Sequence, residues 1–220
     1  NVDDSPGNEG CWARPGFASF KDLKAKKVAA NTSAQITMNA LLENEGMAEK
    51  DVQFVNIPNP SDHVQALRRG EVELICSVDP FATQIREVKA AKFFTFPYDQ
   101  AAGKLTNLIV TRSDVIASRP KGVEETVRSI IKVNGIMAND KAQFIDTIQK
   151  VTGLDRAIAT GAAANLYPDY AMHRESAVAI AQMMRELKYI NSDVSAAVQK
   201  NMDYRFLEAA TGQPKSALGY

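Results

Sequence analysis

The sequence predicts an α/β fold in which a first half alternates short strands with helices and a second half is largely helical. Between residues 27 and 97, three β-type runs each end in a small polar loop that can open a helix. The loops are Asn31-Thr32-Ser33, Asn59-Pro60-Ser61 and Asp79-Pro80. Crossovers in a strand–helix–strand series share one hand, so we expect a parallel sheet with all three loops at its carboxyl edge.

Composition divides the chain into four segments. They are a loop-rich leader with a short helix at 1–23, an α/β lobe at 24–97, a polar hinge connector at 98–104, and a return strand with C-terminal helices at 105–220. The leader is rich in proline and glycine, and Ser19 suits the cap of a single helical turn. The strand-like run 105–111 needs a sheet, and we expect it to pair outside the first one.

Residues with defined conformational preferences mark the ends of the elements in the α/β lobe. Gly46 and Gly70 suit the left-handed residue that ends a helix. Pro80 suits the first position of the third helix, where its missing N–H costs nothing, and Asp79 suits the cap before it. A fourth strand is predicted at 92–96 because an apolar run there stops at a proline.

The C-terminal half carries apolar residues at helical spacing. Three stripes predict amphipathic helices, at Val123–Ile131, Phe144–Val151 and Ile180–Leu187. Gly153 ends the second of these helices. The methionines of the third stripe are expected to fill gaps in the core.

Charge and residue counts exclude several classes of function. With 26 basic and 26 acidic residues the net charge is zero, so no nucleic-acid partner is indicated. Two cysteines and two histidines show no metal-ligand spacing, and we expect neither a metal nor a cofactor. Cys76 lies in an apolar run and is expected in the core, whereas Cys11 lies in the polar leader. A bridge between them is the alternative.

Seven segments, in their order along the chain, carry a resemblance to a known family. They are Ser19-Phe20-Lys21-Asp22-Leu23-Lys24-Ala25-Lys26-Lys27-Val28-Ala29, Ala40-Leu41-Leu42, Asp51-Val52 with Phe54-Val55-Asn56, Ala66-Leu67 with Gly70-Glu71-Val72-Glu73, Asp79-Pro80-Phe81, Val110-Thr111-Arg112-Ser113-Asp114, and Thr152-Gly153-Leu154-Asp155. Their order and spacing are similar to those of substrate-binding proteins of ABC importers of the nitrate, sulfonate and taurine type.

The resemblance implies a two-lobed fold of the type II periplasmic-binding-protein class. In that fold 24–97 is the second lobe, and 105–220 returns to a first lobe that lacks the family's N-terminal βα units. The chain starts at Asn1 without a methionine or a visible signal peptide, so we expect further sequence upstream. Ala25 replaces a family glycine, and Val78-Asp79-Pro80 replaces Trp-Glu-Pro, which removes an aromatic wall of the pocket and shortens an acid.

The resemblance and the shared sheet edge together give a set of predicted ligand-binding residues. The set is Asn31, Thr32, Ser33, Asn59, Ser61, Asp79 and Tyr98. Thr32 and Ser33 match a family loop that receives the ligand's oxyanion, with helix capping as the alternative. Asp79 is predicted mainly as a cap, and as a ligand for a donor-bearing guest if it faces the cleft.

The resemblance implies a binding protein that captures a small solute between two lobes and delivers it to an ABC permease. We expect a monomer without enzymatic activity, periplasmic or anchored outside the cytoplasmic membrane. An enzyme on the same fold, similar to desulfinases or pyrimidine-precursor synthases, is the alternative, and it would need Cys11, His63 or His173 in the cleft. His63 is expected on the surface and His173 is expected to pack among helices. A ligand-sensing domain of a transcription regulator is a third, more distant alternative.

Overall fold

The computed structural model describes residues 9–87, 91–97, 108–166 and 168–220, with the backbone alone for Glu9, Thr32 and Ser33. The predicted hinge at 98–104, which includes Tyr98, lies outside these residues. The chain forms two compact units. The sheet unit comprises Asn1–Gly103 and Ile145–Leu166, and the helical unit comprises Lys104–Phe144 and Tyr167–Tyr220. Residues 145–166 therefore group with the sheet rather than with the other C-terminal helices.

A mixed five-stranded sheet forms the centre of the sheet unit. Its strands are β1 (Glu9–Ala13), β2 (Lys27–Ala29), β3 (Gln53–Val55), β4 (Leu74–Val78) and β5 (Lys92–Thr95), in the spatial order β3-β2-β4-β1-β5. β2 pairs in parallel with β3 and β4, whereas β1 pairs antiparallel with β4 and β5. The four strands predicted within 24–97 thus share one direction. The prediction of a purely parallel sheet is wrong, because β1 is inserted between two of them.

Strand β1 also corrects the prediction that the leader is a loop before its helical turn. Cys11 lies directly opposite Cys76 of β4, and the two form a disulfide bond. Gly10 gives the run a turn-like composition, but it is needed because a Cβ there would lie 2.9 Å from the ring of Trp12. The residues 9–13 form a strand despite this composition because they pair with β4 on one side and β5 on the other. The leader's predicted helical turn does form, as a 3-10 helix at Phe20–Leu23.

Strand residues alternate between two apolar clusters, one on each face of the sheet. One face includes Cys11, Val28, Met38, Leu42 and Leu74, and the other includes Trp12, Ala29, Leu67, Ile75 and Ile85. Neighbours in sequence such as Leu74 and Ile75 therefore lie on opposite faces, and both are fully buried. Because both faces are covered, the strands lack the polar alternation of a half-exposed sheet.

Ten α-helices are present in the described residues. They are α1 (Thr32–Asn44), α2 (His63–Arg69), α3 (Phe81–Glu87), α4 (Ser113–Ser118), α5 (Pro120–Asn139), α6 (Lys141–Thr152), α7 (Arg156–Asn165), α8 (Arg174–Glu186), α9 (Ser195–Asn201) and α10 (Arg205–Thr211). Gly46, Gly70 and Gly153 have φ values of +70°, +68° and +70° and follow α1, α2 and α6, as predicted. α3 begins at Phe81, after a cis Asp79–Pro80 peptide bond, so the prediction that Pro80 is the first residue of this helix is wrong by one position. The carbonyl of Pro80 instead accepts the first hydrogen bond of the helix, from the N–H of Gln84.

Helix α7 packs closely against α3 within the sheet unit. Ala159 and Ala162 are fully buried, and a Cβ on Gly161 would lie 2.8 Å from the side-chain methyl of Thr83. Asp155 caps α7 by accepting a hydrogen bond from the N–H of Ile158 at 3.0 Å. Small residues on one face of α7 thus allow the two helices to approach.

The helical unit has its own small core. Tyr204, Leu207 and Leu218 are buried there, and α10 packs beside α5. Arg128 of α5 donates hydrogen bonds to backbone carbonyls at the end of α10. The predicted return strand is wrong where it falls on described residues, because 108–111 forms no strand and the side chains of Leu108 to Val110 are exposed. Residues 105–107 lie outside the described residues.

Candidate functional site

The three polar loops lie at one edge of the sheet, as predicted. β3, β2 and β4 are neighbours in that order and run parallel, so the loop that follows each strand lies at the same carboxyl edge. Such an edge is where open α/β sheets hold ligands. All three loops belong to the sheet unit.

The first loop opens α1. Asn31 has an extended backbone, and its side-chain oxygen accepts a hydrogen bond from the N–H of Ala34 at 2.9 Å. Thr32 and Ser33 are the first two residues of the helix. The N-cap residue of α1 is therefore Asn31 rather than Thr32 or Ser33. The first N–H groups of a helix have no partner inside it and carry partial positive charge.

The second loop connects β3 to α2 and exposes two predicted ligand residues. The side chains of Asn59 and Ser61 are exposed. The carbonyl of Asn59 accepts a hydrogen bond from the N–H of Asp62 at 2.9 Å, which closes a short 3-10 turn at Pro60–Asp62. The turn faces the polar side chains outward, where a solute can reach them.

His63, immediately after this turn, is buried, so the prediction of a surface histidine is wrong. Its Nδ1 lies 2.8 Å from Oγ of Ser77, and its Nε2 lies 3.1 Å from the carbonyl oxygen of Ile57. Burial lowers the pKa of His63, while the Ile57 carbonyl and the Asp62 carboxylate act in the opposite direction. The signal in the sequence was helical spacing, because His63 shares the inward face of α2 with buried Leu67 four residues later.

The third loop places Asp79 in the interior rather than at the surface. Its side chain is fully buried, and its carboxylate accepts hydrogen bonds from the N–H and hydroxyl of Thr83 at 2.7 and 2.6 Å and from the amide of Asn165 at 3.0 Å. Arg86 lies 3.8 Å away and also donates to the Thr83 hydroxyl. Asp79 thus accepts a hydrogen bond from an N–H of the first turn of α3, as expected of a capping side chain, although it lies two residues before the helix begins. Its buried carboxylate gives no support to the alternative in which it faces a guest.

Burial raises the pKa of Asp79, and the hydrogen bonds from Thr83 and Asn165 and the charge of Arg86 offset part of this rise. Asn165 ends α7, and 86 residues separate it from Asp79. The sequence analysis did not single out Asn165 or Arg86. No local pattern identifies Asn165 as a partner of Asp79, although Arg86 lies two helical turns after it.

A cavity of about 470 Å³ opens beside the carboxyl ends of β2 and β3. It is lined by Ala30, Gln35, Glu49, Lys50, Val52, Phe54, Val55 and Asn56. Gln35 and Glu49 are joined across it by a hydrogen bond of 2.7 Å. Its volume is within the roughly 300–1,000 Å³ of pockets for small ligands. Apolar side chains form one part of the cavity lining. The polar part consists of the ammonium of Lys50, the carboxylate of Glu49 and the amides of Gln35 and Asn56.

The residues considered for catalysis or metal binding are occupied by other interactions. Cys11 and Cys76 share a disulfide bond, so neither offers a thiolate. His173 belongs to the helical unit, and its Nε2 lies 2.6 Å from a carboxylate oxygen of Asp169. His173 is exposed, which corrects the expectation that it packs among helices. Across the described part of the chain, no group of three or more His, Cys, Asp or Glu residues could hold a metal ion.

Comparison with protein families gives one match, to the family described as "NMT1/THI5 like", over residues 11–144. No curated protein sequence matches the chain significantly. Within the ranges that the structure describes, no helix is both long enough and apolar enough to cross a membrane.

Solved structures of similar fold include binding proteins and an enzyme. The periplasmic aliphatic sulphonate binding protein SsuA from Escherichia coli superposes with a TM-score of 0.69 and 16% identity, over 89% of this chain and 65% of that protein. The periplasmic nitrate-binding protein NrtA from Synechocystis PCC 6803 gives 0.71 and 15%, over 96% and 67%. The desulfurization enzyme DSZB gives 0.59 and 15%, over 94% and 76%.

These likenesses establish the fold as that of a type II periplasmic binding protein, which confirms the predicted fold class. The chain spans less than two thirds of the length of SsuA. The match to the family and the shared fold confirm the resemblance to nitrate, sulfonate and taurine binding proteins.

Proposed function

Because this chain belongs to the NMT1/THI5-like family, we propose that it is the solute-binding component of an ABC importer. The observation that carries the proposal is the convergence of three polar strand-to-helix loops at the carboxyl edge of β3, β2 and β4. Helix N–H groups and side-chain hydroxyls and amides can hold a guest there by hydrogen bonds alone. Closure of a second lobe over this edge would trap the guest for a membrane permease.

The solute is a small organic anion or zwitterion of the sulfonate, taurine or carboxylate class, or the inorganic anion nitrate. The first loop offers Thr32 and Ser33 at the positive end of α1, which favours an oxyanion. The Asp79 carboxylate is turned into the interior, so the third loop presents no negative side chain of its own to such a guest. Asn59 and Ser61 add uncharged polar groups from the second loop.

The disulfide bond supports a location outside the cytoplasm. Buried bridges such as Cys11–Cys76 form and persist in oxidising compartments, whereas thiols stay reduced in the cytosol. This chemistry fits a periplasmic or membrane-anchored extracytoplasmic location. In the proposed function the protein works there as a monomer with its permease.

A thermal-shift panel of taurine, methanesulfonate, nitrate and bicarbonate tests the proposal. A solute that binds the folded protein raises its melting temperature in proportion to the logarithm of concentration above Kd. We expect one of these solutes to do so. No shift with any of the four, up to millimolar concentration, would contradict the solute class.

The variant Thr32→Ala with Ser33→Ala tests the site. Since Asn31 provides the cap, stability should change by less than about 1 kcal/mol, whereas affinity should fall roughly tenfold through loss of hydrogen bonds to the oxyanion. Asp155→Ala is the matched control, because it removes a helix cap elsewhere in the sheet unit. It should lower the melting temperature and leave affinity unchanged. If the double variant lost stability but kept its affinity, Thr32 and Ser33 would contribute to the helix and not to solute binding.

An enzyme similar to the desulfinases or to the pyrimidine-precursor synthases is the second candidate, because the likeness to DSZB extends over 94% of this chain. Such chemistry needs a reactive group in the cleft, and the disulfide removes both thiols. Incubation with an aryl sulfinate and detection of released sulfite separates the candidates. Release that disappears on mutation of His63 would favour the enzyme.

A further inference from the structure

The imidazole of His63 connects the second loop of the candidate site to β4, the strand that leads into the third loop. Its Nε2 bonds the carbonyl of Ile57, in the loop that carries Asn59 and Ser61, and its Nδ1 bonds Ser77 near the end of β4. Neighbouring residues of α2 are buried in the core, so the ring is attached to a rigid element. The contact therefore relates an exposed loop to the strand that precedes the third loop.

The partners of the ring define its tautomer. A backbone carbonyl only accepts hydrogen bonds, so Nε2 of His63 carries the proton and donates to Ile57. In the neutral ring Nδ1 is then an acceptor, and the hydroxyl of Ser77 donates to it. Burial, which lowers the pKa of His63, favours this neutral form. Both ring nitrogens are used.

We infer that His63 is a positioning residue of the solute site, which fixes the direction of the Ile57 carbonyl and with it the presentation of Asn59 and Ser61. The inference rests on the proposed function for its effect on solute affinity. The side chain of Ile57 packs against the apolar cluster that contains Leu67. This apolar contact holds the loop against the core even without the hydrogen bond from His63. The hydrogen bond then fixes the orientation of the loop backbone.

Two substitutions separate the two hydrogen bonds. In His63→Gln the side-chain N–H can take the place of Nε2 and donate to Ile57, whereas the acceptor for Ser77 is lost. In His63→Asn the shorter amide reaches only the position of Nδ1, so it can accept from Ser77 and leaves the Ile57 carbonyl without its donor. Each variant removes one buried hydrogen bond, so a purely structural role predicts similar melting temperatures and similar loop order.

The first measurement is hydrogen exchange of the amides at 56–62, which needs no ligand. We expect His63→Asn to raise exchange there at least tenfold over wild type, and His63→Gln to restore protection to within about threefold of it. Ser77→Ala, which spares the Ile57 bond, should behave like His63→Gln. Equal exchange in the Asn and Gln variants, or nitrogen chemical shifts of His63 that place the proton on Nδ1, would overturn the inference.

The second measurement is calorimetric titration with methanesulfonate. We expect affinity to fall at least fivefold in His63→Asn relative to His63→Gln. If wild type binds and the two variants bind equally, the loop is positioned without effect on the solute, and the inference about affinity is wrong. If wild type binds none of methanesulfonate, taurine, nitrate and bicarbonate, the proposed solute class fails instead, and hydrogen exchange still decides whether His63 positions the loop.

Discussion

Removal of the bridge between Cys11 and Cys76 tests the placement of β1 in the middle of the sheet. The perturbation is the double substitution Cys11→Ala with Cys76→Ala, which avoids placing hydroxyl groups in the core. The bridge closes a loop with a sequence separation of 65 residues. Loop-closure entropy for that length gives about 4 kcal/mol of stability at 25 °C. This is a large share of the roughly 5–15 kcal/mol that holds a typical domain folded.

Urea unfolding followed by tryptophan fluorescence measures this loss. Trp12 is the single tryptophan, lies in β1 beside Cys11 and is 1% exposed, so it reports directly on the strand. We expect the double variant to lose ~3–5 kcal/mol in the free energy of unfolding. Reductant should lower the stability of wild type by a similar amount and leave the variant unchanged.

Two results would refute the reasoning. One is a loss below about 1 kcal/mol, within the range of ordinary surface substitutions. The other is titration of two free thiols in the folded, unreduced protein. Either would mean that β1 does not hold Cys11 against Cys76.

Three other predictions concern buried contacts and helix glycines. Asn165→Ala leaves an oxygen of the buried Asp79 carboxylate without its donor and should cost ~1–3 kcal/mol in urea unfolding, so unchanged stability would contradict the contact. Gly161→Ala should cost ~1–3 kcal/mol, because its methyl would lie 2.8 Å from a side-chain methyl of α3. Gly135 of α5 is the control, because a Cβ there meets nothing within 4 Å, and Gly135→Ala should stabilise the protein by up to ~1 kcal/mol. If the two glycine substitutions change the free energy of unfolding equally, α7 does not pack closely against α3. Burial lowers the pKa of His63, so below pH 6.5 the unfolded chain binds a proton at His63 more readily than the folded protein does. The free energy of unfolding should therefore decline as the pH falls through this range. If the His63→Gln variant shows the same dependence of unfolding free energy on pH, His63 is not the cause.

Much of the fold could be predicted from local pattern. The strands within 24–97, the left-handed residues Gly46 and Gly70 and the cap function of Asp79 all appear in the structure. Each of these signals depends on a few neighbouring residues. The shared edge of the three loops was also predictable, because crossover handedness places them there once the strands are assigned.

The candidate site was predictable in part. Asn31, Asn59 and Ser61 lie in strand-to-helix connections at the expected edge, and Thr32 and Ser33 begin α1 there. His63 was misplaced, because a histidine beside an aspartate and a 3-10 turn has the composition of a surface. Its ring instead contacts the carbonyl of Ile57, six residues earlier, and the hydroxyl of Ser77 in β4.

Local sequence pattern was enough to place the strands and helices of the α/β lobe to within a few residues, and to identify the loops that follow the parallel strands. Long-range packing, in contrast, makes 9–13 an interior strand, brings Cys11 against Cys76, and brings Asn165 of α7 to the Asp79 carboxylate. The two kinds of feature differ in how far apart along the chain the interacting groups lie. Caps and left-handed glycines respond to backbone groups a few residues away, whereas these pairings join groups 65 and 86 residues apart and form only when the whole sheet unit packs.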